Sequence, residues 1–200
     1  MNILVDQLPT TLEIGGRKYE IRSDFRDCLK IILAFEDPEL ASIEKQTILL
    51  SNLYKEMPDN IHEAFERGMW FLNGGEESAS GDNMRLYSFD KDANYIMAAF
   101  RQTHGIDLET AEMHWWKFMA YFMDLGSETT FNQLIGLRKR VKTGKASKEE
   151  RQAALEIKEI FDLPELDNRT LEEREAENAF MKRYKQGRQK CQQDMTAQSE

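Results

Sequence analysis

Proline, cysteine and long apolar runs are all scarce in this chain of 200 residues. With only 4 Pro and 11 Gly, helices are favoured over a strand-rich sandwich built on frequent turns. Cys28 and Cys191 lie far apart, so no disulfide framework is expected and a reduced, intracellular protein is the simpler reading. No run approaches the roughly 18 apolar residues of a membrane span. The opening MNILVDQLPTT lacks a basic region and a long apolar stretch, which predicts no signal peptide and a cytoplasmic protein. Positive charge is in deficit as well. A formal net charge of −9 argues against a dedicated nucleic-acid binder, which gains affinity by neutralising phosphates, and against docking on an anionic membrane.

Catalytic signatures are missing too. Asp90-x-Asp92-x-Asn94 opens like a calcium loop, but Tyr95 stands where Gly is required and Arg101 where a bidentate Glu is required. Gly144-Lys145 is followed by Ala146 and preceded by no strand, so it is not a phosphate-binding loop. His62, His104 and His114 share no metal-ligand spacing, and no Ser or Cys sits in a nucleophile motif. The expectation is a protein with no catalytic residues, no metal and no cofactor.

What is present is helical periodicity. Thr10–Ile21 reads as a β-hairpin: Leu12 and Ile14 alternate with polar residues, as do Tyr19 and Ile21, and Gly15-Gly16 supply the turn. Helices are expected over 24–36, 39–57 and from Asp59 to Leu72, the last stopped by Asn73-Gly74-Gly75. A central helix pair follows at 88–126. Ser88 or Asp90 caps its first helix, and its second runs from Leu108 to Leu125 behind a cap at Asp107. Ser127 is expected to cap a further helix, and Ser147-x-x-Glu150 is a capping box for one reaching Phe161, with Ala154, Ile157, Ile160 and Phe161 as its stripe. Thr170-x-x-Glu173 opens a charged segment with sparse apolar residues. The chain thus reads as mainly α, a helical bundle with a short N-terminal hairpin. It forms one domain over 1–165 (hairpin 10–21, mobile loop 74–86) and a charged helical extension over 166–200, disordered toward its end.

Two features suggest partners. Leu108–Leu125 carries two apolar stripes and one narrow polar line, so it is surrounded by its own domain or by another chain. Trp115, Phe118 and Phe122 are assigned to the core. Met113, Trp116 and Met123 on the second stripe, with Tyr121 on the adjoining polar line, are the expected partner-binding residues, because methionine adapts to varied apolar surfaces. The second feature is the basic cluster Arg138, Lys139, Arg140, Lys142 and Lys145. It is either a site for RNA or an acidic partner, or a solvated helix end whose cations suit the C-terminal dipole; the second is preferred.

The block from Tyr87 to Leu108, YSFDKDANYIMAAFRQTHGIDL, followed by HWWKF at His114–Phe118, resembles a small protein family of tailed phages and prophages of Gram-positive bacteria. The hairpin Thr10–Arg26, the run MWFLNGG at Met69–Gly75 and SKEERQAAL at Ser147–Leu155 are similar as well. Members of that family are encoded in the tail module, between the major tail protein and the tape measure protein. The resemblance implies a non-enzymatic tail assembly chaperone that coats the tape measure protein and helps recruit tail-tube subunits. Self-association is expected, in the cytoplasm of the bacterial host. The alternatives are a regulatory or nucleic-acid-binding phage protein using the cluster at 138–145, and a minor structural tail component.

Overall fold

The computed structural model describes residues 3–76 and 84–164. Within them a two-stranded hairpin, β1 (Thr11–Ile14) and β2 (Arg17–Glu20), is followed by α1 (Phe25–Glu36), α2 (Ser42–Leu53), α3 (Ile61–Leu72), α4 (Ala93–His104), α5 (Trp115–Met123), α6 (Thr130–Lys142), α7 (Lys148–Glu156) and α8 (Lys158–Phe161). The fold is mainly α. No helix among the described residues is long and apolar enough to cross a membrane. The expected mobile loop falls partly, and the extension over 166–200 wholly, outside the described residues.

The hairpin forms in the register that its alternation requires, with Leu12 opposite Tyr19 and Ile14 opposite Arg17. Gly15 and Gly16 both adopt positive φ, at 57° and 78°, as a two-residue turn with matching twist demands. Two strands alone are marginal. Here a third stretch of backbone supports them: Arg22 N–H donates to Leu53 O (2.7 Å) and Lys55 N–H to Glu20 O (3.0 Å). This pairing ends α2 at Leu53, short of the Met57 that periodicity suggests, because residues 53–55 are drawn out as strand. The Tyr54 hydroxyl then donates to Ala64 O on α3 (2.7 Å).

Local caps set most of the other helix starts. The Asp24 carboxylate accepts from Arg26 N–H (2.9 Å), and Asn60, rather than Asp59, caps α3 through Glu63 N–H. Ser147 and Glu150 form the expected capping box on α7. Thr129, not Ser127, caps α6. The helix expected to reach Phe161 breaks at Ile157 into α7 and α8. Of its expected stripe only Ala154 is buried, while Ile157 and Ile160 are exposed.

The core centres on Phe118. Its ring stacks on Phe25 (centroids 5.0 Å), Phe100 (4.9 Å) and Trp115 (5.5 Å), joining α1, α4 and α5 through one side chain. Such offset stacks add about 0.5–1.5 kcal/mol each beyond the area they bury.

The largest departure from the sequence pattern lies just before α5. The expected helix from Leu108 begins only at Trp115. The Arg26 guanidinium takes the carbonyls of Leu108 (2.7 Å), Glu109 (2.9 Å) and Ala111 (2.8 Å), which a helix would have used itself. Residues 113–115 pair instead with 23–25: Phe25 N–H donates to Met113 O (3.0 Å) and Trp115 N–H to Ser23 O (2.7 Å). An arginine far away in sequence thus holds the start of an apparent helix as a turn at 108–110 and a docked extended strip at 113–115.

Candidate partner-binding surface

The run His114–Phe118 divides its work residue by residue. His114 is the N-cap of α5: its Nδ1 accepts from Trp116 N–H (3.1 Å) while its Nε2 lies 3.0 Å from Pro9 O. A carbonyl can only accept, so the ring is neutral with its proton on Nε2. Burial lowers its pKa below the ordinary 6.5, with Lys117 adding to the effect against the Pro9 contact.

Both tryptophans close the end of α3. Trp115 Nε1–H donates to Leu72 O (2.9 Å), a carbonyl near the helix end, and Trp116 Nε1–H to Phe71 O (2.8 Å), which also accepts from Gly74 N–H. The Trp116 ring stacks on Phe71 (5.8 Å, 29°) and meets Trp70 edge-on (5.7 Å). Gly75, at φ 85°, passes so close that a Cβ there would stand 2.7 Å from Trp116 Cη2. Trp116 is therefore 6% exposed and Met113 9%. Their expected place on an open partner groove is corrected: the indole N–H finds its acceptor inside the domain, and the strip at 113–115 is packed against α1.

The remaining two candidates are at the surface. Met123 is 80% exposed and Tyr121 39%, and the Tyr121 carbonyl is held by His104 Nε2 (2.9 Å). On α5 the spacing places Met119, Ala120 and Met123 on one face, in line with Trp116 one turn earlier. Ala120 and Met123 are exposed, and Met119 and the neighbouring Trp70 are half-buried. The Arg67 guanidinium lies 4.8 Å over the Trp70 ring. The result is a short apolar ridge.

The basic cluster is not one surface. Arg138 is 1% exposed and forms a bidentate pair with Asp92, Nη1 to Oδ2 at 2.6 Å and Nη2 to Oδ1 at 2.9 Å. It also donates to the carbonyls of Ile160, Phe161 and Leu86. Arg140 pairs with Glu150 (2.8 Å), and Lys142 Nζ donates to Arg85 O (2.7 Å). Lys139 and Lys145 are exposed. The expected patch is thus corrected to a buried clasp and its surface neighbours.

A cleft of about 580 Å³ opens beside this clasp, between the end of α1 and the turn at Ser88–Asp90. Leu33, Ala34 and Pro38 give it an apolar wall, and Glu36, Asp37 and Asp90 an acidic one. Glu36 accepts from the Ser88 hydroxyl and from Phe89 N–H (3.1 Å), and pairs with Arg85 at 3.2 Å. Among the described residues no three His, Cys, Asp or Glu side chains gather where they could hold a metal ion.

Comparison with known proteins gives one family match. Residues 4–163 match the family model described as Bacteriophage Gp15 protein. No curated protein and no solved structure is matched by the chain.

Proposed function

The chain belongs to the bacteriophage Gp15 protein family, and on that premise we propose that it is a tail assembly chaperone. It binds apolar helical segments of the tape measure protein and assists tail-tube assembly without catalysing a reaction. The major tail protein and a second copy of the chain are further partners under the same reading, which places the protein in the cytoplasm of the host cell.

One observation carries the proposal. Met123 is 80% exposed at the end of α5, and the exposed Ala120 and half-buried Met119 share its face. A ridge of flexible and small apolar side chains suits helices of differing sequence. The resemblance of the HWWKF context to tail-module proteins supports the choice of client, and the net charge of −9 supports a protein rather than a nucleic-acid partner.

The test is co-expression with the tape measure protein of the same phage genome. The wild-type protein is expected to raise the soluble fraction of the client, and an Ala120→Glu, Met123→Glu double variant is expected to lose that effect while keeping its helical circular dichroism. Full rescue by the double variant overturns the placement of the site. No rescue by the wild type overturns the function.

A further inference from the structure

The cleft at the end of α1 is lined by apolar and acidic side chains together. No basic residue stands in the last turn of α1, where the carbonyls carry partial negative charge. Asp37 and Asp90 add negative charge at the cleft's mouth, and Leu33 and Ala34 supply apolar surface beside them. Glu36 is already matched by Arg85. The cleft therefore favours a segment that brings cations and apolar side chains together.

Such a segment begins at the cleft's own rim. Pro164 lines the cleft, and its carbonyl is held by Arg85 Nη1 at 2.6 Å, so residues 165–200 depart from this point. Their sequence is divided by charge. Glu172, Glu173, Glu175 and Glu177 come first; Asn178–Gln193 then contains no acid and carries Lys182, Arg183, Lys185, Arg188 and Lys190, interleaved with Phe180, Met181 and Tyr184.

We propose that Phe180–Lys185 docks into the cleft of its own chain, with Phe180 and Tyr184 against Leu33 and Ala34 and the cations beside Asp37 and Asp90. Length does not oppose this. Residues 165–179 span about 50 Å when extended and about 22 Å when helical, and the return distance is short because the segment starts on the rim. The tether supplies an effective concentration on the order of millimolar, well above that of a second copy in dilute solution. The apolar ridge on α5 is flanked by Lys117 and Asp124, whose charges offset, a poorer match for a cationic segment than the acidic cleft.

Disulfide trapping in the full-length chain tests the proposal. In a Cys191→Ser background, Leu33→Cys is combined with Phe180→Cys, and Leu155→Cys with Phe180→Cys serves as the control, since Leu155 stands exposed on α7. On oxidation in dilute solution the cleft pair is expected to close within one chain about tenfold more than the control pair, as tethered docking requires. Adding Lys182→Glu, Arg183→Glu and Lys185→Glu is expected to reduce closure to the control level. Equal closure of the two pairs overturns the proposal and leaves the cleft to another partner. Predominant closure between chains overturns it in favour of a second copy, and closure indifferent to the charge reversal overturns the assigned electrostatic match.

Discussion

Asp92 and Arg138 form a bidentate ion pair in which both side chains are withdrawn from water, 0% and 1% exposed. Asp92 stands at the start of α4 and Arg138 on the third turn of α6. Asp92 Oδ2 also accepts from Ser88 N–H at 3.0 Å, and the guanidinium reaches three backbone carbonyls in two other segments. The pair is the point at which α4, α6, α8 and the segment after Met84 are fastened together.

Breaking that pair from one side leaves a charge stranded in the interior. Arg138→Met is expected to destabilise the protein by about 3–5 kcal/mol, whereas Lys139→Met, at the exposed neighbouring position, is expected to change stability by less than about 0.5 kcal/mol. Urea unfolding of both variants measures the difference. Equal effects show that Arg138 is not the clasp.

The joint between α3 and α5 has its own signature. Trp116→Phe keeps an aromatic ring over Phe71 but loses the donor to its carbonyl, an expected cost of about 1 kcal/mol. Gly75→Ala combines a positive φ with a Cβ directed at the Trp116 ring, and is expected to cost about 1–3 kcal/mol. Thermal unfolding followed by tryptophan fluorescence reads both. A neutral Gly75→Ala removes the close approach from the account.

Stability is expected to depend on pH through His114. Burial holds its folded-state pKa below 6.5, and protonating Nδ1 would place a proton against the Trp116 N–H it caps. The unfolded chain therefore binds the proton first. The contribution is fully present above pH 6.5 and is lost as pH falls from there through the lower folded value. Denaturant unfolding across this window should show a slope that His114→Asn, a substitute cap without a titrating ring, reduces.

Cys28 is fully buried, and burial, reinforced by Asp27 and Asp24, pushes its thiol pKa up. A thiolate is the reactive species. In a Cys191→Ser background a thiol reagent is expected to modify Cys28 only as fast as the protein opens, with full modification in urea. Rapid labelling under native conditions contradicts this packing.

Much of the fold was legible because it is written locally. The Gly15-Gly16 turn with its alternating flanks and the Ser147–Glu150 capping box each depend on residues within four positions of one another. Phe118 and Phe122 were placed in the core by spacing alone, and they are buried there. The exposure of the four residues expected on a partner surface was legible only in part. Met123 and Tyr121 reach the surface, but Trp116 and Met113 do not. Two stripes of equal hydrophobicity give periodicity no means of choosing which one is covered.

By itself, the sequence determined a mainly helical chain with one hairpin, an acidic surface and a helix too apolar for a single buried face. Hydrogen-bond spacing and side-chain alternation are properties of adjacent residues, and they survive in any context. Tertiary structure alone decided where α5 begins, which tryptophan face is covered and which arginine of a basic run goes inside. Those outcomes rest on acceptors brought in from elsewhere in the chain: the carbonyls of Leu108, Glu109 and Ala111 for Arg26, that of Phe71 for Trp116, and the Asp92 carboxylate for Arg138. A buried polar group adopts the place where its partner is, and that place is set by folding rather than by neighbours in sequence.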